Sequence, residues 1–494
     1  MRLPRLSLRL RPAALALPLL LAGCAIGPDY ERPATPMSAQ FKQLDGWRLA
    51  EPAEVMRDDQ WWARYQDGTL SALVRDIDVS NQNLAQAEAR YRQALALSDG
   101  ARAGFFPTLG ASASASRSGS SGNGGNGSGS GQGSGSNAGT RYEAGLTASW
   151  LPDIWGKVRR EVEAGRATAQ ASAADLAAAR LSAQSSLALA YFQLRVLDQQ
   201  AVLLSRTVQA YERSLTLTRN QYEAGLTARA DVVQAETQLE QVRVQLRDLD
   251  WQRAQQENAI AVLVGRVPSD FSLPRVDGLP RLPAIPQALP STLLQRRPDI
   301  SSAERTVAAA NARIGVAEAA WFPDLTLSAS GSLQHNNFAD WISAPYRVWS
   351  LGPALALSLF DGGARSAALA QATASYDEQV ARYRQTVLDG LRETEDALAL
   401  LRTMEAEIVQ QRRVVALAEE NETLVTNRYR EGIVTFLEVA VAQNTTLTAR
   451  RTLLQLQGTQ LQASVQLMTA LGGGWDGDLA PETGPLSPRR TTPD

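Results

Sequence analysis

The chain has 494 residues, with 49 Lys and Arg against 51 Asp and Glu and a formal charge of −2. Its single cysteine, Cys24, excludes intrachain disulfides, and with a single histidine, His335, no Cys/His zinc site can be assembled. The faintly acidic balance offers no electrostatic footprint for nucleic acid.

The first 23 residues carry Arg2, Arg5, Arg9 and Arg11, no acid, and an apolar run from Ala13 to Ala22 interrupted by Pro18. This pattern predicts a secretory signal over 1–23, too short to remain as a spanning helix. Leu21-Ala22-Gly23-Cys24 resembles a bacterial lipoprotein cleavage box, which makes Cys24 the acylated first residue of the mature chain. Ala25 stands where an aspartate would retain such a protein at the inner membrane, so an outer-membrane destination is expected. Loss of the leader leaves 45 basic against 51 acidic residues, a net charge of −6. Several acyl chains on one residue anchor a protein stably, but spanning needs a separate argument.

Residues 24–67 are Pro- and Trp-rich, with Trp47, Trp61 and Trp62, and read as an extended arm over the surface of the body. A first structural repeat is expected over 68–265 and a second over 298–471, because the chain repeats itself. Asn83, Leu84, Ala87, Glu88, Phe106, Pro107, Ser112 and Ser114 recur 216 positions later as Asp299, Ile300, Ala303, Glu304, Phe322, Pro323, Ser328 and Ser330. Asn220, Tyr222, Gly225, Asp231, Val232 and Gly265 recur at 207 as Asn427, Tyr429, Gly432, Glu438, Val439 and Gly472. Each copy reads helix, strand pair, long helix, reversal, helix, a repetitive unit rather than one compact core around one pocket.

The period changes along each copy. A helical pattern over Leu70 to about Arg102 gives way after Pro107 to alternation, Leu109, Ala111, Ala113 and Ala115 against Gly110, Ser112, Ser114 and Ser116. Strands are expected at about 106–117, 140–151, 323–335 and 347–360, each near the length that crosses a bilayer at a tilt. The first pair is joined by the Gly/Ser/Asn tract 117–140, which cannot bury enough apolar surface to fold and belongs in solvent, as the outward loop of an outer-membrane hairpin does. After the leader no apolar run reaches 18 residues, so a spanning chain must span as strands. Four strands cannot close, and lipid tolerates no open edge, so several chains must pool them. Two chains give eight strands and a filled interior; three give twelve and room for a lumen, for which the Ser, Gly and Thr face is suited.

Long helical hairpins are expected over 156–265 and 362–471. Leu187, Ala190, Leu194, Leu197, Ala201, Leu204, Val208, Tyr211 and Leu215 keep a 3.5-residue step, a coiled-coil seam. The return strokes carry Leu239, Val242, Leu246, Leu249, Ile260 and Leu263, and then Leu447, Leu454, Leu461 and Met468. Gly225 and Gly432 stand where a tight reversal needs positive φ. Residues 266–297 read as a Pro-rich linker, and 472–494 as a loosely ordered tail.

Several short motifs together carry a family resemblance. Cys24 with Gly27-Pro28-Asp29-Tyr30-Glu31-Arg32-Pro33, Trp61-Trp62, Arg297-Pro298-Asp299-Ile300 with Ala303-Glu304-Arg305, Trp321-Phe322-Pro323 and Phe360-Asp361-Gly362-Gly363 resemble the lipoprotein channels of drug efflux systems, in the TolC-like outer membrane factor family. The resemblance implies an α+β membrane fold: a homotrimer whose twelve-stranded barrel crosses the outer membrane above a long periplasmic barrel of helices. It implies a passive exit duct, partnered by a periplasmic adaptor protein and an inner-membrane RND-type pump, with no cofactor beyond the lipid on Cys24. Carried onto this chain, the adaptor-contacting tips are Gly225, Leu226, Thr227, Gly432, Ile433 and Val434, within 222–231 and 429–441. Relatives often place an aspartate one turn after the apolar position held here by Leu437, but this chain has Val441. Either Leu437 and Val441 close the gate by dewetting, or Glu438 and Asp231 supply an acidic ring.

Enzyme chemistry finds no support. His335 is read as a surface residue of the loop joining the second strand pair, and Glu393, Glu395 and Asp396 cluster as carboxylates do on solvated helical faces. No Gly-rich phosphate loop with Lys-Ser/Thr appears, so the chain cannot drive transport itself. A duct of a type I protein-secretion system shares the architecture, though acylation at Cys24 favours efflux; a lipid-anchored periplasmic coiled-coil scaffold is the reading from another class.

Overall fold

A computed structural model describes residues 25–35, 42, 60–119, 138–283, 296–336, 347–475, 477 and 479. The leader over 1–23, Cys24, much of the arm, most of the Gly/Ser tract, part of the linker and most of the tail lie outside the described residues.

The chain divides into two compact units. The first comprises Met1–Arg32, Gln93–Ala169 and Thr306–Val380 and holds the strands. β1 (Thr108–Gly119), β2 (Ala138–Trp150), β3 (Asp324–His335) and β4 (Arg347–Ala356) form one antiparallel sheet in the order β1-β2-β3-β4. The two copies join at β2 and β3, where Tyr142 opposes His335 and Trp150 opposes Leu327. Register keeps chemistry on its own face: Ser112 meets Gly145, which meets Ser332, while Ala113 meets Ala144, which meets Leu333. Leu109, Leu146, Trp349, Leu351 and Leu355 are exposed on the apolar face. His335 is the last residue of β3, paired with Tyr142 at the end expected for that strand, and not a residue of the loop beyond it.

The second unit comprises Pro33–Arg92, Gln170–Arg305 and Ala381–Asp494 and is helical. In chain order the helices of the protein are α1 (Gly68–Ser80), α2 (Gln82–Ala103), α3 (Lys157–Glu223), α4 (Arg229–Leu263), α5 (Pro298–Ala319), α6 (Ala364–Arg430) and α7 (Phe436–Ala470). α3 and α6 have 67 residues each and α4 and α7 have 35 each, so the duplication holds to the residue. At 1.5 Å per residue the long helices extend about 100 Å, far beyond what a globular core needs. Among the described residues no helix is long and apolar enough to cross a membrane.

Sequence chemistry sets where these helices start and stop. Asp67 caps α1 by accepting from the N–H groups of Thr69 and Leu70, and Asp153 caps α3 by accepting from Val158 and Arg159. Both return helices stop at glycines with positive φ, Gly265 and Gly472, which sit against the carbonyls of Ser80 and Arg296 at equivalent places in the two copies. The α3 seam is buried through Leu187, Leu194, Leu197, Leu204, Tyr211 and Leu215, with Leu239, Val242 and Leu249 of α4 in the same cluster as its lower part.

The expected surface arm ends early. Trp61–Tyr65 is a short 3-10 helix whose Trp61 and Tyr65 are 1% exposed, packed with Tyr191 and Phe192 of α3 in one core cluster. Tyr65 and Phe192 rings lie 4.8 Å apart, and the Tyr65 hydroxyl meets Ser464 Oγ at 2.7 Å. Large aromatics remove the most apolar area from water, so these side chains leave the surface wherever a groove accepts them. The linker is likewise held: Gly278 O accepts from Arg195 and Leu273 O from Arg253, whose guanidinium also pairs with buried Asp198 at 2.8 Å.

Candidate functional site

The expected tips occupy the reversals between α3 and α4 and between α6 and α7. Both reversals use one device. Gly225 N donates to Tyr222 O and Leu226 N to Gln221 O; Gly432 N donates to Tyr429 O and Ile433 N to Arg428 O. Gly225 and Gly432 both have φ +73°, the left-handed residue that closes such a C-terminal turn. At the summit Leu226 is 77% and Ile433 60% exposed, while Thr227 and Val434 are half-buried. Val434 packs against the core cluster of the tips. Of the six expected tip residues, then, the two glycines shape the turns, Leu226 and Ile433 present apolar surface, and Thr227 and Val434 face inward.

The two copies diverge beneath the turns. Thr227 donates its hydroxyl to the Asp231 carboxylate, whereas the equivalent pair in the second copy is Val434 and Glu438. Arg229 of the first copy is replaced by Phe436, which is 1% exposed and meets the ring of Tyr429 edge to face at 5.7 Å. Tyr222 is exposed where Tyr429 is buried, and the Tyr429 hydroxyl donates to Thr218 of α3 at 3.1 Å. Burial pushes the Tyr429 hydroxyl pKa up, with the Thr218 hydrogen bond opposing that. Val232 and Ala235 of α4 share this cluster with Val439 and Ala440 of α7, and Gln238 Nε2 reaches Ala440 O at 3.3 Å.

Leu437 and Val441 lie one turn apart on α7, each 59% exposed, with Glu438 exposed beside them. Helical spacing of four puts Leu437 and Val441 on one face. Their counterparts in the first copy are Ala230 and Gln234, so the apolar pair belongs to the second copy alone. Asp231 differs from Glu438 in being half-buried and already hydrogen-bonded by Thr227.

Sequence reasoning placed Tyr429 and Phe436 within the tip segment 429–441 without giving either a role, and did not single out Thr218 or Gln238. The signal available was the break in the duplication, Arg229 against Phe436, which marks where two otherwise equal hairpins pack differently.

The carboxylates that cluster in the sequence at 393–396 are engaged in pairing. Glu393 pairs with Arg297 at 2.9 Å, Asp396 with Arg392 at 3.2 Å, and Glu395 accepts from Lys42 N. Among the described residues no three His, Cys, Asp or Glu gather as metal ligands. A cavity of about 340 Å³ between α3, α4 and α7 is lined by six glutamines, among them Gln193 and Gln245, together with Asp248, Arg451 and apolar residues such as Leu204 and Leu249.

Comparison with known proteins bears on the family and the fold. The family profile described as "Outer membrane efflux protein" matches residues 73–266 and 289–473. The chain is 32% identical over 474 residues to the probable efflux pump outer membrane protein TtgC of Pseudomonas putida, covering 92% of this chain and 94% of that one. It is 30% identical over 466 residues to the cation efflux system protein CusC of Escherichia coli, covering 92% and 97%. Among solved structures, the outer-membrane channel OprN superposes with a TM-score of 0.83 at 30% identity, covering 92% of this chain and all of that one.

Proposed function

The chain belongs to the outer membrane efflux protein family, a passive exit channel of the outer membrane with a large periplasmic part and no enzymatic activity, and from that premise we propose how it is assembled and gated. Three copies pool their four strands into a twelve-stranded barrel, apolar face to lipid and Ser/Gly/Thr face to a wet lumen. The observation that carries this is the sheet itself: β1 and β4 pair with nothing on their outer sides among the described residues, while Leu109 and Leu351 leave their apolar faces bare. Such edges are stable in hydrocarbon only when siblings seal them.

The long hairpins form the periplasmic conduit, and their tips, through exposed Leu226 and Ile433 on the turns at Gly225 and Gly432, meet a periplasmic adaptor protein that links the channel to an inner-membrane pump. Thr227 and Val434, half-buried at the same turns, complete that contact surface. The resting gate is apolar: Leu437 and Val441 from three copies converge and exclude water, and Glu438 borders the constriction. Support comes from their shared exposed face and from the commitment of Asp231 to Thr227. Cys24 carries the lipid that anchors each copy, and no other prosthetic group is required.

The cargo is small and toxic, as the names of a toluene-efflux TtgC and a cation-efflux CusC suggest for relatives. Deleting the gene and challenging cells with toluene, antibiotics and metal-cation salts tests this. Increased sensitivity to any of these classes, restored by the wild-type gene, is expected. Unchanged sensitivity with lost export of a protein would make the chain a secretion duct instead.

A further inference from the structure

The segment that immediately follows Cys24 is locked to the body of the strand-bearing unit by one buried side chain. Arg160, on the first turn of α3, has a side chain only 5% exposed. Its Nε donates to Ile26 O at 3.1 Å, Nη2 to Gly27 O at 2.9 Å and to Asp29 Oδ1 at 3.0 Å, and Nη1 to Glu163 Oε2 at 2.8 Å. A guanidinium offers five N–H donors in a rigid fork, and three of its bonds here go to this segment. Further on, Asn311 Nδ2 donates to Pro28 O at 2.9 Å, Tyr30 packs on Ala167, Ala308 and Ala309, and Ile26 N donates to Trp155 O at 3.2 Å.

Three glycines make room for this approach. A Cβ on Gly27, whose φ is +99°, would lie 2.4 Å from Gly315 Cα. One on Gly315 would lie 2.9 Å from both Arg160 Cγ and Ile26 O, and one on Gly156, with φ +82°, would lie 2.9 Å from Ala25 Cα. Such contacts are closer than real Cβ atoms tolerate, so side chains at these positions would push the segment away.

The dock lies at the roots of the strands. Trp155, which accepts from Ile26, sits between β2 and α3, donates its indole N–H to Pro323 O at 2.8 Å, and stacks at 5.0 Å on Phe322, just before β3. Ala25, the residue that follows Cys24 in the sequence, rests against Gly156.

We propose that Arg160 is the positioning residue of an anchor dock, holding the acylated segment at the strand roots so that the lipid chains enter the membrane beside the strands they accompany. The proposal rests on the reading of Cys24 as acylated. A flexible tether would leave lipid and strands independent; a locked one makes them a single membrane-facing surface.

Limited digestion of the assembled, detergent-purified full chain with chymotrypsin tests it, because cleavage after Tyr30 requires residues 26–30 to lift away from Arg160 and the alanine groove. Mass spectrometry follows release of the peptide ending at Tyr30. Arg160→Ala is expected to speed release by about tenfold or more, Arg160→Lys by less, and Asn311→Ala by a few fold, with oligomer size and helical circular dichroism unchanged. Release from Arg160→Ala at the wild-type rate would overturn the dock. Should Arg160→Ala fail to assemble, Asn311→Ala and Asp29→Asn carry the test, and wild-type rates for both would overturn it equally. The mass of the peptide tests the acylation separately: an unacylated Cys24 would refute the lipid reading whatever the rates.

Discussion

The Tyr429 hydroxyl, near the end of α6, donates to Thr218 Oγ1 on α3 across 3.1 Å in a buried setting, tying the second hairpin to the first just below the tips. Thr218 in turn donates to Ser214 O, and the phenol is also hydrogen-bonded to Thr227 of the first hairpin, so both of its partners lie across the tie. Removing it by Tyr429→Phe should cost about 1 kcal/mol of the packed arrangement. In planar bilayers the variant should show a resting conductance higher than wild type. Equal conductance would mean that the tie does not bear on closure.

Leu437→Ala combined with Val441→Ala should raise resting conductance more than Glu438→Gln does, because dewetting depends on apolar width at the constriction. Cation over anion selectivity should shift with Glu438→Gln, while conductance changes little. If the double alanine variant conducts as wild type does and Asp231→Asn with Glu438→Gln alters closure, the acidic ring is the gate.

Gly472→Ala should be severely destabilising. Its φ is +92°, and a Cβ would lie 2.1 Å from Arg296 O, so αL strain of about 1–2 kcal/mol adds to a backbone clash. Gly100→Ala is the control: nothing lies within 4 Å of a Cβ there, and it sits within α2, so it should be neutral or stabilise by up to about 1 kcal/mol. Thermal unfolding followed by far-UV circular dichroism separates the two.

Alkali should loosen the helical unit. Burial, reinforced by the hydrogen bond to Asp67, pushes the Tyr191 hydroxyl up to about 12, and burial does the same to Tyr211. In the unfolded chain both ionise near about 10. The unfolded state therefore loses its protons first; the contribution is complete below about pH 10 and declines as the pH climbs toward 12. Tyr191→Phe should flatten that decline in melts recorded between about pH 9 and 12, and an unchanged slope would mean that Tyr191 plays no part in it.

Much of the fold is legible in the sequence because it is periodic. The equal offset between Phe106-Pro107 and Phe322-Pro323 announces two copies, the heptads from Leu187 to Leu215 announce a long buried seam, and the alternation around Ser112 and Ser328 announces strands with one polar face. What stays hidden depends on partners far away along the chain. Nothing near Arg160 in the sequence reveals acceptors more than 130 positions earlier, and Gln238 looks like a surface glutamine until Ala440 O is placed beside it. Trp61 and Trp62 look like arm residues because a 3-10 turn of five residues has no period to read. At the tips, Gly225 and Gly432 are legible from positive-φ chemistry, whereas the inward turn of Val434 and Thr227 is set by packing.

Sealing of the bare sheet edges by sibling copies is the premise of the channel. Native mass spectrometry of the protein released gently from detergent tests it most directly, by counting chains per particle. Three chains in each particle is the predicted result. Single chains that keep their helical content, or pairs whose eight strands would fill their own interior, would contradict it.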